Sequence, residues 1–347
     1  MNILHIIPSL GSGGAERMLS KIVFEDHENI HTIIYYKNSH VVYDFSNADI
    51  YHFDYKSIRS IINVILKVLT KNYHVVNSWM RANTFGLLYK LLFNRAKIIF
   101  NIRHDFPEKF NLSQLLERFV VSQGRFMDGT IFVSYSAYKN YTSKGYENSN
   151  SIVITNGFKV HEENLYKKNH KNKKIIGYVG RLHPVKNQEK MLQIFNEMNH
   201  LEDNLELWLV GANLNQLPLE KYVEDSNKIK ILGEESNLHD IYSSMDLLLL
   251  TSDREGFPNV IGEAMSYGVP VATTEAGDSF SIIENSGIKI NKNETAVDTA
   301  KSISNLLSNQ HEIDFSSKES IRIVEEKYNI EKIIENYKNY YRQIEEI

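Results

Sequence analysis

Leu247-Leu248-Leu249-Leu250-Thr251-Ser252-Asp253-Arg254-Glu255-Gly256-Phe257-Pro258-Asn259-Val260-Ile261-Gly262-Glu263-Ala264-Met265 reads as one structural unit. Four successive leucines make a short strand buried on both faces, as strands of a parallel sheet are. A polar loop follows, and Pro258, whose fixed φ suits a first helical turn, begins a helix. The unit sets one carboxylate, Glu255, in the loop and a second, Glu263, roughly one turn into the helix.

The same rhythm extends in both directions. Towards the N-terminus, short β-branched runs at Ile3 to Ile7, Thr32 to Tyr36, His74 to Asn77, Lys97 to Asn101 and Thr130 to Val133 alternate with helical patterns. After Ile152-Val153-Ile154 comes a polar stretch, Asn156 to Lys174, rich in Lys, Asn and His. The alternation then resumes with Lys174 to Val179, Leu205 to Val210, Ile229 to Leu232, Leu247 to Thr251 and Val269 to Thr273. Strands alternating with helices predict parallel, doubly wound α/β sheets. A chain of 347 residues exceeds what one hydrophobic core usually serves, so the polar stretch is read as a linker between two such domains, 1–160 and 173–328. From 329 to 347, Ile333, Ile334, Tyr337, Tyr340, Tyr341 and Ile344 recur at helical spacing and predict a closing helix with one face packed on a domain.

Composition removes several classes. Hydrophobic residues make up 42% and charged residues 24%, ordinary values that argue against disorder. A net charge of −4 gives no global reason for a nucleic-acid partner. The absence of cysteine removes a disulfide scaffold, a thiolate nucleophile and a cysteine-ligated metal, and fits a reducing cytoplasm. Met1 to Ile7 has no cationic leader and is cut short by Pro8, so it reads as a strand rather than a secretion signal. The longest apolar runs fall well below the roughly 20 residues of a membrane-spanning helix, so any membrane contact is expected to be peripheral.

Three stretches carry candidate chemistry. Gly11-Ser12-Gly13-Gly14-Ala15-Glu16 is a glycine-rich turn between strand and helix, where backbone N–H groups can approach a phosphate; a tight turn with no ligand is the plain alternative. Glu16 stands where a dinucleotide fingerprint needs glycine, which argues against a nicotinamide enzyme. In Gly180-Arg181-Leu182-His183-Pro184-Val185-Lys186-Asn187-Gln188, two cations follow a strand, spaced to reach one diphosphate or to line a solvated loop. Glu255 and Glu263 can each accept hydrogen bonds from vicinal hydroxyls, suiting a ribose plus a sugar, or can be a near-cap and an exposed helix charge.

Together these stretches resemble the retaining glycosyltransferase family 4 of the two-domain GT-B fold, and the agreement spans nearly the whole chain. It rests on Ser-Gly-Gly-Ala-Glu-Arg near the start, Gly-Arg-Leu-x-x-x-Lys-Asn at the second domain, and Glu255 and Glu263 with Gly-x-Pro-Val following at Gly268 to Val271. The resemblance implies two Rossmann-like domains facing a central cleft, with the C-terminal helix packing back. It implies that Arg181 and Lys186 bind the donor diphosphate, Glu263 the ribose, and Glu255 the transferred sugar. Gly14 would approach the phosphates across the cleft, and His104, in Asn101-Ile102-Arg103-His104-Asp105, would face the donor sugar. Gly256 and Phe257 join the substrate-binding set, while Glu255, His104, Arg181 and Lys186 form the candidate catalytic set, without a named nucleophile. Ala276-Gly277-Asp278-Ser279-Phe280 departs from the family's Gly-Gly-acid pattern, so its contacts to the sugar do not carry over.

The expected activity is transfer of a hexose or N-acetylhexosamine, with retention, from a nucleotide diphosphate sugar, UDP preferred, to a glycan or polyprenyl-diphosphate-linked acceptor in bacterial surface polysaccharide synthesis. No Asp-x-Asp triplet occurs, so a metal-independent reaction without a resident cofactor is expected. A sugar-nucleotide epimerase and a non-catalytic carbohydrate-binding protein are the alternatives. Lys56 to Tyr73 combines Lys56, Arg59, Lys67 and Lys71 with Ile58, Ile61, Ile62, Ile65 and Leu69; an amphipathic helix covering its own sheet is the first reading, and rest on an anionic membrane at the cytoplasmic face of the inner membrane the second.

Overall fold

The computed structural model describes residues 1–11, 13–93, 95–104, 106, 112–161, 173–235 and 237–347. Residues 162–172 of the expected linker, and Ser12 and Asp105 of the quoted motifs, lie outside that set. Among the described residues the first sheet comprises β1 (Asn2–Ile7), β2 (Ile30–Tyr35), β3 (Ala48–His52), β4 (Val75–Trp79), β5 (Lys97–Ile102), β6 (Gly129–Phe132) and β7 (Ser151–Val153), in the order β3-β2-β1-β4-β5-β6-β7. Its helices are α1 (Gly14–Glu25), α2 (Ile58–Thr70), α3 (Asn83–Leu92), α4 (Leu112–Ser122) and α5 (Tyr135–Thr142). The second sheet comprises β8 (Lys174–Val179), β9 (Leu205–Val210), β10 (Ile229–Gly233), β11 (Leu247–Leu250), β12 (Val271–Thr274) and β13 (Ile288–Ile290), in the order β10-β9-β8-β11-β12-β13. With it go α6 (Gln188–Leu201), α7 (His239–Ser244), α8 (Asn259–Ser266), α9 (Ser279–Ile283), α10 (Ala296–Ser308) and α11 (Gln310–Lys327); α12 (Ile330–Glu346) ends the chain. All strand pairs in both sheets are parallel, as the alternation predicted.

Two compact units result: 1–157 with 330–347, and 158–329. The division differs slightly from the expected boundary after residue 160, because Phe158 and His161 pair with the second unit. The Phe158 backbone N–H donates to Tyr328 O and that of His161 to Ser266 O. The closing helix is part of the first unit rather than a separate segment.

Alternation along β1 shows why this sheet is sandwiched. Ile3 and Ile7 join the core beneath α1 and α12, whereas Leu4 and Ile6 join the core beneath α2 and α3. Each such side chain contributes about 1.5–3 kcal/mol through burial. On α12, Ile333, Ile334, Tyr337, Tyr340, Tyr341 and Ile344 are all buried, as their spacing required. Three buried tyrosine hydroxyls then need partners. Asn77 Nδ2 donates to Tyr341 (2.7 Å), Arg103 to Tyr337 (3.0 Å) and the Thr130 backbone N–H to Tyr340 (2.8 Å). Burial pushes the Tyr341 hydroxyl well above the ordinary phenol range, so it stays neutral.

A second polar thread crosses the same core. Trp79 Nε1–H donates to His5 Nδ1 (3.3 Å), which places the His5 proton on Nε2, facing His31 Nδ1 at 3.0 Å. His31 then presents its own Nε2–H to Asp26 at 3.2 Å. Burial, followed by the nearby His31, holds the His5 pKa well below its usual value. Burial alone would raise the Asp26 carboxyl, but hydrogen bonds from His31 and Asn29 outweigh it and hold the pKa at about 2.

β3 and β13 have no counterpart in the sequence expectation. β3 is an edge strand with Asp49, Ile50 and His52 exposed, so it shows no apolar alternation, and β13 has only three residues.

Candidate functional site

In both units the strand order reverses, between β1 and β4 and between β8 and β11. Open α/β sheets take ligands beyond the carboxyl ends of the strands at such a reversal. In the second unit the loops there are residues 180–187 and 251–258, which carry Arg181, Lys186 and Glu255.

Local chemistry builds the first loop. The Val185 N–H donates to the His183 ring (3.2 Å), starting the 3₁₀ turn Pro184–Lys186, and Asn187 then turns left-handed (φ 47°). The Asn187 side chain caps α6 by accepting from Lys190 N (3.3 Å). It also reaches the second loop, donating to Asp253 at 2.9 Å, while the Asp253 N–H donates to Val185 O at 2.8 Å and the Thr251 hydroxyl to Asn187 O at 2.9 Å.

This stitching brings Lys186 Nζ to 2.6 Å from Glu255 Oε1, an oxygen that also accepts from the Ser252 hydroxyl at 2.7 Å. The two side chains remain 23% and 15% exposed. A partly solvated pair of this kind adds at most about 1 kcal/mol to stability, so holding the fold is not a sufficient account of it. Arg181 lies on the same loop, exposed.

Glu263 is the fifth residue of α8, half-buried, and accepts from the Tyr242 hydroxyl at 2.8 Å. Tyr242 stacks on Tyr267 (5.6 Å), and Tyr267 stacks on His161 (4.2 Å) and pairs with the His239 ring at 3.1 Å. These aromatic neighbours come from three separate segments, His161, the α7 pair His239 and Tyr242, and Tyr267, so no spacing in the sequence announces them.

The loop that departs from the family pattern is tied to Glu255 through the backbone. Gly277 adopts φ +59°, and a Cβ there would stand 2.3 Å from Gly256 O and 2.5 Å from Glu255 O. The Asp278 N–H donates to Gly256 O at 3.3 Å. Phe257 is buried, stacked on Phe158 at 6.3 Å and edge-on to Tyr328 at 5.8 Å; its ring packs inside the unit and does not present a face to a ligand.

In the first unit, Gly14 is the first residue of α1, with Gly13 as its cap. Glu16 folds back under the turn: it accepts from the Ser9 hydroxyl at 2.7 Å, and a Cβ on Gly13 would lie 2.1 Å from its carboxylate. That explains a glutamate where a dinucleotide fingerprint has glycine. His104 follows β5, half-buried, its Nε2 3.4 Å from the Tyr141 hydroxyl.

Residues 173–309 match the family model Glycosyl transferases group 1. An uncharacterized glycosyltransferase of Haemophilus influenzae is 25% identical over 259 residues, spanning 72% of each chain. The capsular polysaccharide biosynthesis glycosyltransferase CapM of Staphylococcus aureus is 23% identical over 252 residues, 67% of this chain and 66% of that protein. Among solved structures, Anabaena HepE in complex with UDP and glucose superposes with a TM-score of 0.78 at 20% identity, covering 99% of this chain and 100% of that one. Sucrose-phosphate synthase from Thermosynechococcus elongatus gives 0.82 at 15% identity, covering 99% of each. The shared fold is GT-B.

Proposed function

We propose that this chain, a glycosyltransferase whose residues 173–309 belong to the glycosyl transferases group 1 family, moves a hexose or N-acetylhexosamine from a UDP-sugar to a glycan or polyprenyl-diphosphate-linked acceptor. The setting is bacterial surface polysaccharide synthesis of the capsule or O-antigen kind, at the cytoplasmic face of the inner membrane. The Lys186 and Glu255 pair at the β8/β11 reversal carries the reading. A diphosphate arriving there competes with Glu255 for Lys186. Once released, the carboxylate accepts hydrogen bonds from the hydroxyls of the transferred sugar, so donor binding itself frees the group that orients the sugar.

In the reaction the bond between the anomeric carbon and the diphosphate oxygen breaks, and the electron pair leaves with the diphosphate. Lys186 and Arg181 compensate that charge where water is partly excluded. An acceptor hydroxyl attacks from the face the diphosphate leaves, which retains configuration, and its proton passes to the leaving phosphate oxygen. Glu263, oriented by Tyr242, holds the ribose hydroxyls. Gly14, Gly256, Phe257 and His104 are proposed to line the donor, Phe257 through its backbone because its ring is buried. The capsular relative and the HepE complex with UDP support donor and acceptor class. No resident cofactor is invoked.

The test is thermal stabilisation by UDP-, GDP- and ADP-sugars, with and without EDTA, in wild type, Lys186→Ala and Glu263→Ala. A ligand at 100 times its Kd raises native stability by about 2.7 kcal/mol. The expected result is a shift with UDP-sugars that survives chelation and is lost in both variants. No shift with any nucleotide sugar would overturn the donor site, and a new sugar nucleotide formed without acceptor would favour an epimerase.

A further inference from the structure

Residues 55–104 are electrostatically unlike the rest of the chain. They contain nine Lys or Arg and no Asp or Glu, in a chain whose formal net charge is −4. This stretch supplies α2 and α3, which pack on the same side of the first sheet through Val64, Val68, Phe85, Leu87 and Tyr89. The helix expected to cover its own sheet does so with only part of its apolar surface. Ile58, Ile62, Ile65 and Leu66 point outward, Ile58 being 76% and Leu66 52% exposed. On α3, Leu91 and Leu92 are each 72% exposed.

Helical geometry gives this surface an order. Ile58, Ile62 and Ile65 recur at steps of four and three residues and line one stripe, and Arg59, Asn63 and Lys67 line the stripe beside it. Between α2 and the β3 edge lies a groove of about 630 Å³ whose lining includes Tyr51, His52, Ser57, Arg59, Asn63 and Lys67. The helix is capped in its own right, with the Ser57 side chain accepting from the Ser60 N–H at 3.3 Å.

We infer that the outer face of α2, continued by α3, rests on a bilayer rich in anionic lipid, with Ile58, Ile62, Ile65 and Leu66 entering the acyl boundary and Arg59 and Lys67 in the headgroup layer. Branched aliphatics flanked by cations, with no acid on α2 or α3 themselves, match that interface in both hydrophobicity and charge. Single-stranded nucleic acid would call for stacking aromatics, and the stripe has none. The surface makes specific the peripheral contact in the proposed function, yet it binds lipid whether or not the chain transfers sugar.

The experiment is co-sedimentation of the full chain with vesicles of phosphatidylglycerol and phosphatidylcholine, against vesicles of phosphatidylcholine alone. Wild type is expected to bind only the anionic vesicles, and less as salt rises. Arg59→Gln with Lys67→Gln lowers the affinity about 25-fold, since each surface cation contributes about fivefold. Ile62→Glu with Ile65→Glu abolishes binding while the thermal midpoint and the UDP-induced shift stay at wild-type values. Failure of wild type to bind anionic vesicles, or binding by the Ile62→Glu, Ile65→Glu variant equal to wild type, overturns the proposal. Vesicle binding without sugar transfer would leave this surface standing and remove the transferase reading; transfer without vesicle binding would do the reverse.

Discussion

The two units share one topology but place their polar groups oppositely. In the first, His31, His5, Asn77 and Tyr341 lie fully buried beneath α1 and α12, each with a partner fixed in geometry. In the second, Lys186 and Glu255 sit on loops beyond strand ends and Glu263 sits within α8, all partly open to water. A buried polar thread specifies where α12 docks, because leaving any member unpaired carries the full desolvation cost. A half-open ion pair contributes little to folding and can exchange partners with a ligand.

The contrast breaks first at α12. Tyr341→Ala should lower stability by about 3–5 kcal/mol, read as a fall in the urea midpoint, because it opens a cavity and strands Asn77. A loss below about 1 kcal/mol would mean that the thread does not anchor the helix. Lys186→Ala should leave that midpoint nearly unchanged while reducing kcat by about 10²–10³, the usual effect of removing one charge-stabilising donor. Equal losses of stability and activity would make the pair structural like its counterpart in the first unit.

Smaller effects sharpen the comparison. Gly277→Ala must accommodate a Cβ against two carbonyl oxygens, so a loss of about 1–3 kcal/mol is expected, together with weaker UDP-sugar stabilisation as the Glu255 loop shifts. Unchanged sugar binding would uncouple that loop from the donor. The pH dependence belongs to the first unit. His5 has a depressed pKa when folded, so above about 6.5 its contribution is fully present. As pH falls below that value the unfolded chain takes up a proton that the folded chain refuses, and stability declines by about 1.4 kcal/mol per pH unit. Asp26, held at about 2 against an ordinary 3.8, adds a further loss as pH drops from 3.8 towards 2. Urea midpoints at pH 5 and 7 should show the first slope, and His5→Gln should flatten it.

Legibility in the sequence followed burial. β1, β8, β9 and β11 were read almost to the residue because strands buried on both faces are nearly continuously apolar, His5 in β1 and Glu206 in β9 being the buried exceptions. The edge strands β3 and β13 were not, since an edge has little hydrophobic requirement to record. Arg181, Lys186 and Glu255 were legible as loop residues after strands, but their union was not. Lys186 meets Glu255 because Asn187 and Asp253, 66 positions apart, stitch two loops together.

The outward face of α2 marks the same limit. Periodicity showed an amphipathic helix with a basic flank, and it could not tell which part of a wide apolar arc the sheet would cover. What the sequence alone determined was the βα alternation, the two-unit organisation, the apolar face of α12 and the residue types at the carboxyl ends of the strands, because these follow from local periodicity and turn chemistry. Tertiary structure decided which polar groups pair: Glu263 with Tyr242, Lys186 with Glu255, and His5 with both Trp79 and His31. Those contacts join segments distant in sequence, and only packing two parallel sheets under their helices brings such side chains within hydrogen-bonding distance.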